Sequence, residues 1–224
     1  MTHRHAHFGW LIAGFITFII SLSGYVYYSY QHTYNEIMNA VDNKLLDAAL
    51  SVQYILGETY HDNITSSAHI SLENYLAKSK QLSDFAKKLK LEYVYAMILK
   101  DGQVHFTASS YTDKDIELQK ITYFYDLYSE ATKTNRSAFF STEPVFEYSS
   151  DQWGNFKTIF VPFTASDGQI YLTGADITIT DLNERLTASI SQAIITSCFF
   201  FFIADRSDAC ICFLYNIFFH RKSG

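Results

Sequence analysis

Cysteine is missing from the first 197 residues of this 224-residue chain; Cys198, Cys210 and Cys212 all fall near its end. Any domain built from the preceding residues therefore holds together without disulfides. A glycine-rich phosphate loop, Gly-x-Ser-x-Gly and His-Glu-x-x-His are missing as well, and no spacing joins a Ser, a His and an Asp into a triad. These absences leave no case for catalysis, and the residues present are not expected to form an enzyme. Basic charge is scarce too. Residues 31–185 carry 13 Lys and Arg against 21 Asp and Glu, which argues against nucleic acid or an anionic lipid surface as a partner. No cofactor motif stands out and no metal site is expected. His3, His5 and His7 alternate in a terminal tail that could chelate without forming a fixed site, and Cys210-x-Cys212 lacks a second ligand pair.

Charge disappears altogether from two stretches. Between His5 and Asn35 no side chain is charged, taking His as neutral, and Phe8 to Tyr28 is almost wholly apolar. About 20 such residues match the hydrocarbon thickness of a bilayer. Tyr25, Tyr27, Tyr28 and Tyr30 gather at one end and Trp10 marks the other, as amphipathic rings do at membrane interfaces. The stretch reads as a transmembrane helix; the competing reading is a signal peptide cut near Ser21-Leu22-Ser23. Leu186 to Ala204 is again uncharged and long enough to span. Arg4 before the first stretch, and Arg206, Arg221 and Lys222 after the second, put both termini on the cytoplasmic side. The expected organisation is a tail and first span in 1–30, an exported domain in 31–185, a second span in 186–204, and a short atypical tail in 205–224 with no output module.

Within the exported region, Tyr34 to Tyr60 carries Ile37, Val41, Leu45, Ala48, Val52 and Ile55 at spacings of three and four, the seam of a long helix continuous with the first span. That seam could pack on the domain's own sheet or pair two subunits into a homodimer; both readings stay open. A second helix is predicted over 72–89 with Ser71 as its N-cap, and Leu72, Tyr75, Leu76, Leu82, Phe85 and Leu89 on one face. Leu91 to Ser110 reads as a hairpin turning at Asp101-Gly102. Phe139 to Leu182 reads as three strands with turns at Asp151-Gln152-Trp153-Gly154 and Asp167-Gly168, then the start of a helix. Together these predict an α+β domain with a central antiparallel sheet of about five strands. The Tyr-rich stretch 111–135 lacks alternation, and Ile121 to Ala131 is expected as a short helix over the sheet.

This order of elements between two spans resembles the Cache family of PAS-like extracellular sensor domains of bacterial membrane receptors. The likeness lies in Val94 to Ser110, Thr142 to Phe163 and Gly174 to Leu182. It implies a single periplasmic sensor domain anchored in the inner membrane. Such a domain passes a ligand-driven helix shift to a chemoreceptor, kinase or cyclic-dinucleotide output. The family's amino-acid-binding branch carries a Trp-Tyr-x-x-Ala motif, on which Leu127-Tyr128-Ser129-Glu130-Ala131 can be laid. Tyr128 then takes the ligand-facing place, and Tyr125 stands where that branch has its carboxylate-binding Arg. Glu147, following Pro144, and Asp176 fall where the branch has acids for the ligand's ammonium. Two carboxylates and tyrosine rings suit a cation, while the missing guanidinium removes the fixed partner of an α-carboxylate. The implied ligand is a small polar molecule, with an amine favoured.

Each residue also has a plainer role: Tyr125 and Tyr128 as packing at helical spacing, Glu147 on the solvent face of an alternating strand, Asp176 in a salt bridge. A rival function of a different class is a periplasmic protein-interaction or dimerisation module with no small-molecule ligand.

Overall fold

The computed structural model describes residues 2–188, 190–192 and 194–196, with side chains from residue 16 onward except 18. Among these, one compact unit comprises residues up to Met38 with those from Glu184, and the other comprises Asn39–Asn183. The elements in order are α1 (Thr2–Leu56), α2 (Leu72–Leu89), β1 (Tyr93–Lys100), β2 (Gln103–Ser109), α3 (Asp113–Leu118), α4 (Lys133–Ala138), β3 (Val145–Asp151), β4 (Gly154–Thr164) and β5 (Ile170–Thr178). Residues 179–188 are helical again.

The helix expected to continue from the first hydrophobic stretch does so without a break, as α1. Among the described residues no helix is long and apolar enough to cross a membrane. Several side chains of Phe8 to Tyr28, much of Leu186 to Ala204, the tail 205–224, the three terminal histidines and the cysteines lie outside the described residues.

The five strands form one antiparallel sheet in the order β2-β1-β5-β4-β3. Turn chemistry sets its register. Asp101 and Gly102 both take positive φ, 50° and 76°, the backbone a two-residue hairpin needs, and Lys100 pairs with Gln103 across it. At the β3–β4 turn the Asp151 carboxylate accepts the Trp153 and Gly154 N–H groups. A bulge between Ala96 and Met97 sets Thr107 out of register.

With side chains alternating, the sheet has two distinct faces. Val94, Ala96 and Ile98 of β1, Ala175 and Ile177 of β5 and Ile159 of β4 are fully buried on one face. Lys157 shares this face and forms an ion pair with Asp42 of α1, so the second half of α1 lies here. Its residues Val41, Leu45, Ala48 and Val52 are 0–4% exposed. Burying each of the larger ones contributes roughly 1.5–3 kcal/mol. This part of the seam is thus used within the chain's own domain, while Ile37 and Ile55 at its ends are half-buried.

The helix α2 begins at the expected cap, where the Ser71 hydroxyl accepts the Asn74 N–H, and packs against β1 and β2. Its buried seam is Tyr75, Ser79, Leu82 and Ala86, rotated from the predicted one, with Leu72 and Leu76 exposed. The small residues Ser79 and Ala86 allow close approach, and the Ser79 hydroxyl donates to the Ser109 carbonyl.

The helix expected over 121–131 does not form. Its backbone groups pair instead with β2: Tyr125 N–H donates to the Phe106 carbonyl, Phe106 N–H to Asp126, and Tyr128 N–H to Val104. This stretch closes one edge of the sheet, a use of backbone hydrogen bonds that competes directly with helix formation.

Candidate functional site

The second face of the sheet carries Tyr93, Tyr95 and Met97 from β1, Leu172, Gly174 and Asp176 from β5, and Phe156, Thr158 and Phe160 from β4. Residues 109–128 and the β3–β4 turn cover it. Between sheet and cover lies a cavity whose atom-free space, mouth included, is about 420 Å³. Only about 30 Å³ of this admits the centre of a water molecule, so the cavity is narrow and its wall must yield to take a larger guest.

Three tyrosine–aspartate pairs line this cavity. Tyr95, on β1, donates to Asp176 Oδ1 on β5 at 2.9 Å. Tyr128, in the covering segment, donates to Asp151 Oδ2 at 2.8 Å. Tyr93 donates to both oxygens of Asp115, at 3.1 and 3.0 Å. Each aspartate has a local reason for its position. Asp115 closes a capping box at the start of α3, accepting the Thr112 N–H at 2.7 Å. Asp151 is fixed by the two turn amides, and Asp176 sits opposite both Tyr93 and Thr158 in the strand register.

Aromatic rings form the rest of the wall. Phe106 is their hub, with ring centroids 5.9 Å from Tyr95, 5.2 Å from Tyr128 and 6.1 Å from Trp153. Phe156 packs edge-on to Tyr93 at 5.8 Å. The exposed Lys120 is the one basic side chain among the described residues lining the cavity.

Electrostatics follows from burial. Desolvation pushes the Asp176 carboxyl up to about 7; hydrogen bonds from Thr158 and Tyr95 pull it partly back, and nearby Asp151 and Glu92 push it further up. Burial, reinforced by the carboxylates, raises all three tyrosine hydroxyls, which therefore stay protonated and act as donors. A site with three carboxylates, one rim lysine and faces of aromatic rings attracts cations.

Of the four residues singled out in the sequence, Tyr128 and Asp176 line this cavity together. Tyr125 lies elsewhere: its ring stacks on His105 at 4.5 Å and packs with Ile98 and Tyr171 of the opposite face. Glu147 shares the cavity's sheet face but accepts the Thr132 hydroxyl at 2.8 Å and is not part of the lining. Residues not foreseen are Tyr93, Tyr95, Phe106, Asp115, Asp151 and Trp153. The alternation Tyr93, Tyr95, Met97 was a readable signal for one strand face, and Thr112-Asp-Lys-Asp115 for a helix start. Nothing in the sequence brings Asp151 to Tyr128.

No protein-family model matches the chain, and no curated protein matches it. Among solved structures, it is similar to the ligand-binding domain of the Campylobacter jejuni chemoreceptor Tlp3 in complex with L-norvaline. That match has 17% identity and a TM-score of 0.39, covering 70% of this chain and 63% of that one. It is also similar to a methyl-accepting chemotaxis protein X, with 14% identity, a TM-score of 0.44, and 71% and 64% of the two chains covered. A third is an extracellular ligand binding receptor from Desulfohalobium retbaense, with 10% identity, a TM-score of 0.44, and 70% and 26% covered. The chain thus spans somewhat under two thirds of the Tlp3 domain. These similar structures are ligand-binding domains of chemoreceptors and an extracellular receptor.

Proposed function

We propose that this chain is the periplasmic sensory region of a bacterial membrane receptor, and that the cavity beneath residues 109–128 binds a small organic cation. The observation that carries this reading is the set of three Tyr–Asp pairs around an aromatic-walled cavity, a lining of net negative charge with no guanidinium. An α-amino acid would find acceptors for its ammonium here but only the mobile rim amine of Lys120 for its carboxylate. The two hydrophobic stretches, as membrane spans, put residues 31–185 in the periplasm and both termini in the cytoplasm.

A route for the signal is available in the sheet. Thr158, which hydrogen-bonds Asp176, is followed in β4 by Lys157 turned away from it. Alternation sends the one toward the cavity and the other to the ion pair with Asp42 of α1. A cation settling on Asp176 would shift β4 and, through that pair, bias the position of α1 by about 1–2 Å, as packed helices commonly move.

The test is thermal melting of the full chain in detergent against organic amines, amino acids, carboxylates and purines. A saturable rise with the amines, lost in Asp176→Asn, is the expected result, since a ligand of the folded state raises the midpoint by mass action. A rise with carboxylates alone would overturn it. The interaction-module reading retains one observation in its favour, the open edge strand β3 with Phe146 and Tyr148 exposed at 41% and 60%. Silence across the whole panel would turn the argument to that face.

A further inference from the structure

The three carboxylates around the cavity are already occupied by hydrogen-bond donors of the protein itself. Asp115 receives Tyr93 on both oxygens and, on Oδ2, the amide and hydroxyl of Thr112. Asp151 receives two backbone amides on Oδ1 and Tyr128 on Oδ2. Asp176 receives Tyr95 on Oδ1, with the Thr158 side chain as a second partner. A carboxylate has about four acceptor positions, so little bare acceptor capacity faces the cavity, while the negative potential remains.

This distinction separates two kinds of ammonium. A primary ammonium brings three N–H donors, and leaving them unpaired in a partly desolvated cavity is costly. A fully methylated ammonium brings no donor; its charge is spread over methyl groups that pack against ring faces, and it needs only potential and aromatic surface. Phe106, Tyr95, Tyr128 and Trp153 supply that surface around one point, and Trp153 sits on a two-residue turn, half-buried, where it has room to swing outward.

Resting on the reading of this cavity as a cation site, we infer that it selects an N-methylated ammonium, quaternary in preference to primary, because its carboxylates act at a distance through their own hydroxyl partners. Tyr95 and Tyr128 are then specificity-determining twice over, as ring surface and as the donors that keep a primary amine from direct pairing.

The experiment is isothermal titration of the full chain with choline and with ethanolamine, probes that differ only in three N-methyl groups, repeated on Tyr128→Phe. Choline is expected to bind at least about tenfold more tightly than ethanolamine. Tyr128→Phe keeps the ring but removes one donor from Asp151, so it is expected to tighten ethanolamine and shrink the choline advantage; a melting curve checks that the variant is folded. Ethanolamine binding as well as choline would overturn the inference and leave the cation site standing. A choline advantage undiminished in a folded Tyr128→Phe would overturn it too, since the hydroxyl would then have no part in selection. Binding of neither probe, when other amines also fail to raise the melting point, removes the cation-site reading and this inference with it.

Discussion

The Tyr95 ring lies directly over Gly174 of the neighbouring strand, so close that a Cβ on residue 174 would overlap the ring. The bare backbone lets the phenol lie along β5 and reach Asp176, two residues further on.

Gly174→Ala is therefore expected to destabilise the domain by about 1–3 kcal/mol, the usual range for forcing a side chain from a packed position. The loss should be largely absent when the same change is made in Tyr95→Ala. Urea denaturation of the four chains of that double-mutant cycle checks it; additive losses would mean the ring is not what the methyl group meets.

Asp176 and His61 should act on stability in opposite directions across overlapping pH ranges. Asp176 rises from 3.8 unfolded to about 7 folded, so between these values the folded chain holds the extra proton. Its contribution is fully present below about pH 4 and lost as pH rises toward 7, on the order of a few kcal/mol. Relative to Asp176→Asn, the unmodified chain should melt progressively lower as pH goes from 4.5 to 7.5. The proton also competes with a bound cation, so amine affinity should increase over the same range.

His61 is buried with its ring stacked 3.7 Å from Tyr171 and Nε2 2.9 Å from the Thr107 hydroxyl. Burial lowers it from 6.5 to about 3, so here the unfolded chain takes the proton first and stability falls as pH drops from 6.5 toward 3. His61→Phe should keep the stack and flatten this acid limb in a plot of melting temperature against pH. An acid limb unchanged in His61→Phe would assign the loss to other groups.

Lys157 is 5% exposed at its side chain, with Asp42 as its ionic partner and the rings of Phe146 and Tyr148 each 5.6 Å away. Removing the carboxylate with Asp42→Ala should cost about 2–3 kcal/mol, less than for a wholly buried pair because Asp42 is itself 34% exposed. Lys157→Met, which removes the charge and keeps the stem, should restore most of that loss in the Asp42→Ala background. If the pair also carries the signal, Lys157→Met will bind ligand with unchanged affinity but lose the ligand-dependent change in hydrogen exchange along 39–56.

Local chemistry was legible in the chain itself: the Asp101-Gly102 and Asp167-Gly168 turns, the Ser71 cap, five strands with period-2 burial, and an apolar seam from Val41 to Val52. These follow from backbone preferences and side-chain alternation, which act over a few residues. Tertiary structure decided what lies at a distance in sequence. Residues 121–131 gave up helix for the edge of β2, because unpaired strand amides offered hydrogen bonds that a short isolated helix could not match. With Tyr125 turned to the far side by a φ of 71° and Glu147 tied to Thr132, only Tyr128 and Asp176 of the foreseen residues reach the cavity. Tyr95 meets Asp176 across 81 positions and Tyr128 meets Asp151 across 23. Strand order and register alone bring them together, and no local pattern encodes that pairing.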